Sequence, residues 1–208
     1  MQYNKETKTL VIDYEFNEEI KENSVIVNYK DIEIIIFSSK YPLYSVFNVK
    51  MYYLPQSLIK LTLGYYFNQK IDNLPKNLNY LFLKEKFNQK VNKLPKNLSY
   101  LFLGFSFNQQ INNLPKNLKL LKLGWNFNNK IILPKSLKKL SLSCNNNLIN
   151  NIPKHIEKIY IFFHFWGNYN NKVENLPLTI KKIVIENIHY KNYLKIPFGC
   201  ILTIKKIE

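Results

Sequence analysis

The chain has 208 residues and contains no arginine and no alanine. Without arginine it lacks the planar, bidentate fork that reads phosphates and guanine edges. Only five glycines are present, too few for a glycine-rich loop that cradles a phosphate. The three histidines, His155, His164 and His189, stand at spacings that suit no metal site, and no cysteine lies beside them in a zinc pattern. Cys144 and Cys200 are the only cysteines, and we expect two free thiols rather than a disulfide. Six acids follow residue 35, too sparse for a general acid–base pair or a two-metal centre. No enzymatic activity, cofactor or metal is therefore expected. No apolar run reaches 18 residues, so no membrane span is expected. The opening MQYNKETKTL lacks the apolar centre of a signal peptide, which points to the cytosol or nucleus.

What is present is lysine, asparagine, isoleucine and aromatics. The formal net charge is +16. It is divided unevenly: residues 1–35 hold eight acids and four lysines, a net of −4, while the remainder holds six acids and 26 lysines, a net of +20. Such a basic array suggests an anionic partner. The same skew marks an AT-rich coding sequence, which places lysine on any surface.

The aromatics and asparagines recur with a period. Residues 54–132 carry one motif four times: LPQSLIKLTLGYYFNQKIDN, LPKNLNYLFLKEKFNQKVNK, LPKNLSYLFLGFSFNQQINN and LPKNLKLLKLGWNFNNKII. The Leu-Pro or Ile-Pro mark falls at Pro55, Pro75, Pro95, Pro115, Pro134, Pro153, Pro177 and Pro197, in steps of 20, 20, 20, 19, 19, 24 and 20 residues. A fixed period of this length is the mark of a solenoid. The longer step places an insertion between Phe165 and Tyr169, expected to bulge near Trp166–Asn168. Before the array, Thr9–Ile20 repeats the second half of the motif in degenerate form, and Ile32–Phe37 reads as a buried strand ended near Pro42. Residues 1–8 read as a frayed lead-in. The organisation is thus an N-terminal degenerate repeat or cap (1–46), a repeat array (47–195) and a C-terminal half-repeat (196–208).

Each copy alternates L-x-L over the span of one short strand, so neighbouring copies are expected to form a parallel sheet with one strand per repeat. About twenty residues leave no room for a helix on the way back; turns, extended chain or a 3₁₀ turn are expected there. Phe67, Phe87, Phe107 and Phe127 should stack as a spine, with Ile71, Val91, Ile111 and Ile131 beside them. Asn68, Asn88, Asn108 and Asn128 are read as a buried structural ladder that satisfies the turns. The proline fixes φ before each strand.

These residues carry a resemblance. L-x-L-G-x-x-F-N-Q-x-I-x-x-L-P-x-x-L resembles the FNIP repeat, a branch of the leucine-rich-repeat class common in social amoebae and in giant viruses of amoebae. The match is sharp in 54–132 and worn in 133–195, where Phe-Asn is replaced by Asn145-Asn146, Tyr169-Asn170 and His189-Tyr190. The resemblance implies a leucine-rich-repeat-like solenoid. Some members carry an N-terminal F-box that links them to a ubiquitin ligase. The strand-like TLVIDYEF and IEIIIF argue against one in residues 1–46.

The residues between the leucines should form the open face of the sheet. Among them Tyr80, Phe82, Tyr100, Phe102 and Leu120 make an aromatic-apolar patch, followed by Lys119, Lys122, Lys138, Lys139 and Lys158. Contiguous exposed aromatics mark partner surfaces. We therefore expect a protein-interaction scaffold, with a host-cell protein as candidate partner. Non-specific binding of nucleic acid or an anionic surface by the lysine-rich copies ranks second. A structural role through end-to-end stacking ranks third, since worn terminal copies resemble caps and a monomer is expected. A further alternative is that the acidic N-terminal segment folds over this face. Asn97-Leu98-Ser99 is a formal glycosylation sequon, read as chance.

Overall fold

The computed structural model describes residues 1–20, 29–38, 43–163 and 172–205. Its strands are β1 (Gln2–Asn4), β2 (Thr9–Ile12), β3 (Ile34–Phe37), β4 (Lys60–Thr62), β5 (Tyr80–Leu83), β6 (Tyr100–Leu103), β7 (Leu120–Lys122), β8 (Lys139–Ser143), β9 (Lys158–Phe162), β10 (Lys182–Ile185) and β11 (Ile201–Ile204). They form one sheet in chain order. Every neighbouring pair from β2 to β11 is parallel. Each coil contributes one strand, as the L-x-L alternation predicts. Ile159 of β9 faces Ile183 of β10, so the register survives the longest repeat. The residues of its insertion, Trp166–Asn168, lie outside the described set, as do Pro42, His164 and Tyr169-Asn170.

The sheet packs the hydrophobic core against one face. Leu61, Leu81, Leu101, Leu121, Leu140, Ile159 and Ile183 line up beneath it, fully buried. Burying one such side chain is worth roughly 1.5–3 kcal/mol, and a three- or four-residue strand needs that from both neighbours to persist. Opposite the sheet, Phe47, Phe67, Phe87, Phe107 and Phe127 form the predicted spine, with centroids 5.8, 6.2, 6.1 and 6.0 Å apart and planes within 11° of parallel. Phe16 joins it at 6.1 Å, which places the degenerate first copy in the stack.

Two corners bend each coil. After the strand, Phe87, Phe107 and Phe127 donate their N–H groups to the carbonyls of Lys84, Gly104 and Gly124. The coils nearly touch here: a Cβ on Gly104 would lie 2.1 Å from the Lys84 carbonyl oxygen. Before the strand, Leu58, Leu78, Leu98 and Leu118 each donate to the proline carbonyl three residues back, all at 3.1 Å. The proline thus starts a tight turn that aims the chain into the sheet. Three 3₁₀ turns, at Tyr29–Asp31, Asn147–Asn151 and Ile188–Tyr193, are the helical elements among the described residues, and they lie outside the four sharp copies.

Three expectations need correction. Residues 1–8 are not a frayed lead-in: β1 folds back antiparallel on β2, pairing Tyr3 with Leu10. A hairpin costs little loop closure, and it covers the N-terminal edge with the polar Gln2 and Asn4. The described part of the acidic segment extends the sheet through β2 and β3 rather than lying on its face. Finally, the worn copy aligns one residue later than the sequence suggested. Asn146, not Asn145, takes the place of phenylalanine: its N–H donates to the Ser143 carbonyl as Phe127 does to Gly124. It is buried, and its amide bonds the Phe127 carbonyl and the Leu148 N–H. A polar side chain ends the aromatic spine because every group it buries is bonded.

Candidate functional site

Because the strands are parallel and in register, residues about twenty apart in sequence become lateral neighbours roughly 4.8 Å apart. The outer face therefore reads as rows running along the solenoid. One row is Lys60, Tyr80, Tyr100, Leu120, Lys139, Lys158 and Lys182. The next is Thr62, Phe82, Phe102, Lys122, Ser141, Tyr160 and Val184. A third row, one residue before each strand, holds Ser99, Lys119, Lys138, Glu157 and Lys181, tied by backbone bonds from each to the coil before.

Tyr80, Phe82, Tyr100, Phe102 and Leu120 come together on adjoining strands, each half-buried. The rings pack on one another: Tyr80 on Tyr100 at 4.3 Å and 6°, Phe82 on Phe102 at 4.1 Å and 13°. Lys60 places its Nζ 5.6 Å from the Phe82 centroid. One broad face of each ring is thus covered by its neighbour. Desolvation, with a smaller contribution from Tyr100, raises the Tyr80 hydroxyl above its usual value.

The lysines separate into two groups. Lys119 and Lys138 stand before the strands, not on them. There Glu157 accepts from Lys138 at 3.1 Å and Lys181 at 3.0 Å. Hydrogen bonds from Lys181, then Lys138, hold the Glu157 carboxyl below its usual value. Lys139, Lys158 and Lys182 lie on the strands, Lys139 directly beside Lys158 and Lys158 beside Lys182. Lys158 rests on the Tyr160 ring at 4.8 Å. Lys122 sits in the second row, and its charge acts on Glu186, whose carboxyl burial raises. The face is not open throughout, contrary to the alternation rule taken alone. Ser99, Ser141 and Val184 are buried.

Asn68, Asn88, Asn108 and Asn128 line the corner after the phenylalanine. Each donates its backbone N–H to the side-chain oxygen of the asparagine one coil earlier, at 2.8, 2.8, 2.9 and 3.1 Å. The chain of bonds begins at Asn17, which serves Asn48, and ends at Asn147, served by Asn128. These side chains are half-buried or exposed, not buried as expected, because the next coil covers them on one side only. Gln69, Gln89 and Gln109 give the Asn48, Asn68 and Asn88 oxygens a second donor, at 3.3, 3.3 and 3.2 Å, and Asn129 does the same for Asn108 at 2.9 Å. The sequence reading missed that role, although the recurring Phe-Asn-Gln held the signal. It also missed a second ladder at the proline corner. There Asn77, Asn97 and Asn117 donate to the carbonyls of Gln56, Lys76 and Lys96. The sequon asparagine, Asn97, thus has its amide engaged.

Of the histidines, His155 has a buried Nε2 without a partner, and His189 is exposed. Cys144 and Cys200 are both free thiols. Among the described residues no group of three or more His, Cys, Asp or Glu is placed to hold a metal. None of their helices is long and apolar enough to cross a membrane.

The FNIP Repeat family profile matches residues 50–86 and 111–145. No curated protein matches the chain. Among solved structures it is similar to CroV588, a circular leucine-rich-repeat protein of a giant virus, at 31% identity and a TM-score of 0.68. That similarity covers 93% of this chain and 29% of CroV588, so the chain spans less than a third of that protein. The motif, the coil built on it and these two likenesses agree: the chain carries FNIP repeats at residues 50–86 and 111–145 and has a leucine-rich-repeat-like solenoid fold.

Proposed function

We propose that the chain is a non-enzymatic interaction scaffold that binds a protein partner on the outer face of its sheet. The observation that carries this reading is the placement of Tyr80, Phe82, Tyr100, Phe102 and Leu120 on three adjoining strands, with lysines continuing the same rows. The repeated letters of the motif are consumed by the core, the spine and the two asparagine ladders. The letters that vary between copies are left to the face, which is where a solenoid can carry specificity without disturbing its fold. Aromatic side chains supply large, rigid contact area at low entropic cost, as anchors at interfaces do.

The test is affinity capture from the native cell, comparing the wild-type chain with a variant carrying Tyr80→Ser, Phe82→Ser, Tyr100→Ser and Phe102→Ser. Circular dichroism establishes that the coil survives. Loss of the captured protein supports the reading; capture unchanged by the four substitutions refutes it.

A further inference from the structure

We infer that the partner contributes an acidic, extended polypeptide segment bearing one apolar side chain. The apolar residue would dock on the Tyr100–Phe102–Leu120 patch and the acids on the Lys139–Lys158–Lys182 ladder. This rests on the reading of the sheet face as the binding surface and names the chemistry of its occupant.

The argument begins with a contrast between adjacent lysine rows. In the row before the strands, Glu157 stands between Lys138 and Lys181 and bonds both. In the row on the strands, Lys139, Lys158 and Lys182 are direct lateral neighbours. None of the three forms an ion pair with a carboxylate among the described residues. Like charges directly opposite one another destabilise a sheet. An anion laid along the ladder would relieve this repulsion. A bias toward lysine accounts for the number of lysines. It does not by itself place three lysines side by side in one row with no acid among them.

The neighbouring rings decide which anion. A nucleic acid held without sequence preference stacks its bases on open aromatic faces. Here Tyr80 and Tyr100 cover each other, as do Phe82 and Phe102, and Lys60 lies over Phe82. Fewer ring faces are thus left for base stacking, while the ring surfaces, the Leu120 side chain and the tyrosine hydroxyls suit an aliphatic or aromatic side chain and hydrogen bonding. Arginine is absent from the whole chain. These features favour a polypeptide over a nucleic acid.

Distance sets the layout. Tyr100 on β6 and Lys182 on β10 are four strand steps apart, or roughly 19 Å at about 4.8 Å per step. Extended chain covers that in about six residues. The segment therefore carries its acids within about six positions of its apolar residue and runs across the strands.

The experiment is selection of a displayed library of random peptides of about 12 residues on the full chain. An enriched peptide is then titrated by fluorescence anisotropy against three proteins. These are the wild type, a Lys139→Gln, Lys158→Gln, Lys182→Gln variant, and the four-serine variant above, with a labelled thymidine oligonucleotide as comparison probe. We expect peptides with several acids close to one aromatic or aliphatic residue. The lysine variant should bind roughly tenfold more weakly, and affinity should fall with salt. Failure to enrich any peptide, acidic peptides indifferent to the three lysines, or tighter binding of the oligonucleotide at equal salt would each overturn the inference. Peptides without acids that still need the four aromatics would overturn it too, while leaving the scaffold reading standing.

Discussion

The asparagine ladder offers a sharp test of how the coils are held together, through two substitutions at Asn88 that differ in one property. Its side-chain oxygen accepts from the Asn108 N–H at 2.9 Å and from Gln109 Nε2 at 3.2 Å. Its own backbone N–H donates to Asn68 at 2.8 Å, a bond neither substitution removes. Asn88→Leu keeps the size and deletes the acceptor. A typical bond nets about 0.5–1.5 kcal/mol. Asn108 is exposed, so water recovers part of the loss, and the cost should be about 1–2 kcal/mol. For a chain of this length that lowers Tm by about 2–8 °C. Asn88→Asp keeps the acceptor and should stay within about 0.5 kcal/mol of wild type near neutral pH. The two N–H donors favour the ionised carboxylate, so its folded pKa lies below the unfolded value. That stabilisation is present above the unfolded pKa, about 3.9, and is lost as pH falls through the folded one. Thermal melts at pH 7 and in acid, with hydrogen exchange at the Asn108 amide, read both effects. Equal Tm for the two variants at pH 7, or unchanged protection at Asn108 in Asn88→Leu, would refute the account.

Phe87 stacks between Phe67 and Phe107 in a fully buried spine, so Phe87→Ala should cost about 3–5 kcal/mol, visible as a lowered denaturation midpoint. Gly104→Ala drives a methyl against the Lys84 carbonyl; the coils must part, and a loss of about 1–3 kcal/mol should appear in the same assay. Lys181 and Lys138 depress the Glu157 carboxyl, so its contribution is present above the unfolded pKa and disappears as pH falls through the folded one. Glu157→Gln should therefore flatten the decline of Tm in acid, and added salt should shrink the difference. Burial pushes the Cys144 thiol up to about 11, whereas Cys200 is only partly covered. At pH 8 a thiol reagent should titrate Cys200 promptly and Cys144 only after denaturant is added.

Much of this was legible because a repeat states its pattern several times. Leu81, Leu101 and Leu121 recur at one offset, and so do Phe87, Phe107 and Phe127; recurrence at a strand period and at a coil period left one arrangement that buries both. Asn88 and Asn108 were legible as structural, but their half-exposed setting was not, since a polar residue in a repeated motif looks alike whether it is covered on one side or two. The displaced alignment at Asn146 was hidden because three asparagines follow one another at Asn145–Asn147, and only the Ser143 turn bond selects among them. The hairpin of β1 was missed because three mostly polar residues gain a strand from an edge already waiting, not from their own propensity.

The amino-acid sequence by itself determined the coil: its period, the residues turned inward, the break at proline before each strand, and the likeness to FNIP repeats. All of these follow from local spacing and from the requirement that each short strand bury its leucines against the next. Only the tertiary structure decided what the surface is. Lys138 and Lys139 are consecutive, yet one meets Glu157 and the other meets Lys158. Tyr80 and Phe82 are each covered by the ring one coil later. Those outcomes depend on lateral register, which brings residues about twenty apart to roughly 4.8 Å and sends neighbours in sequence to different rows.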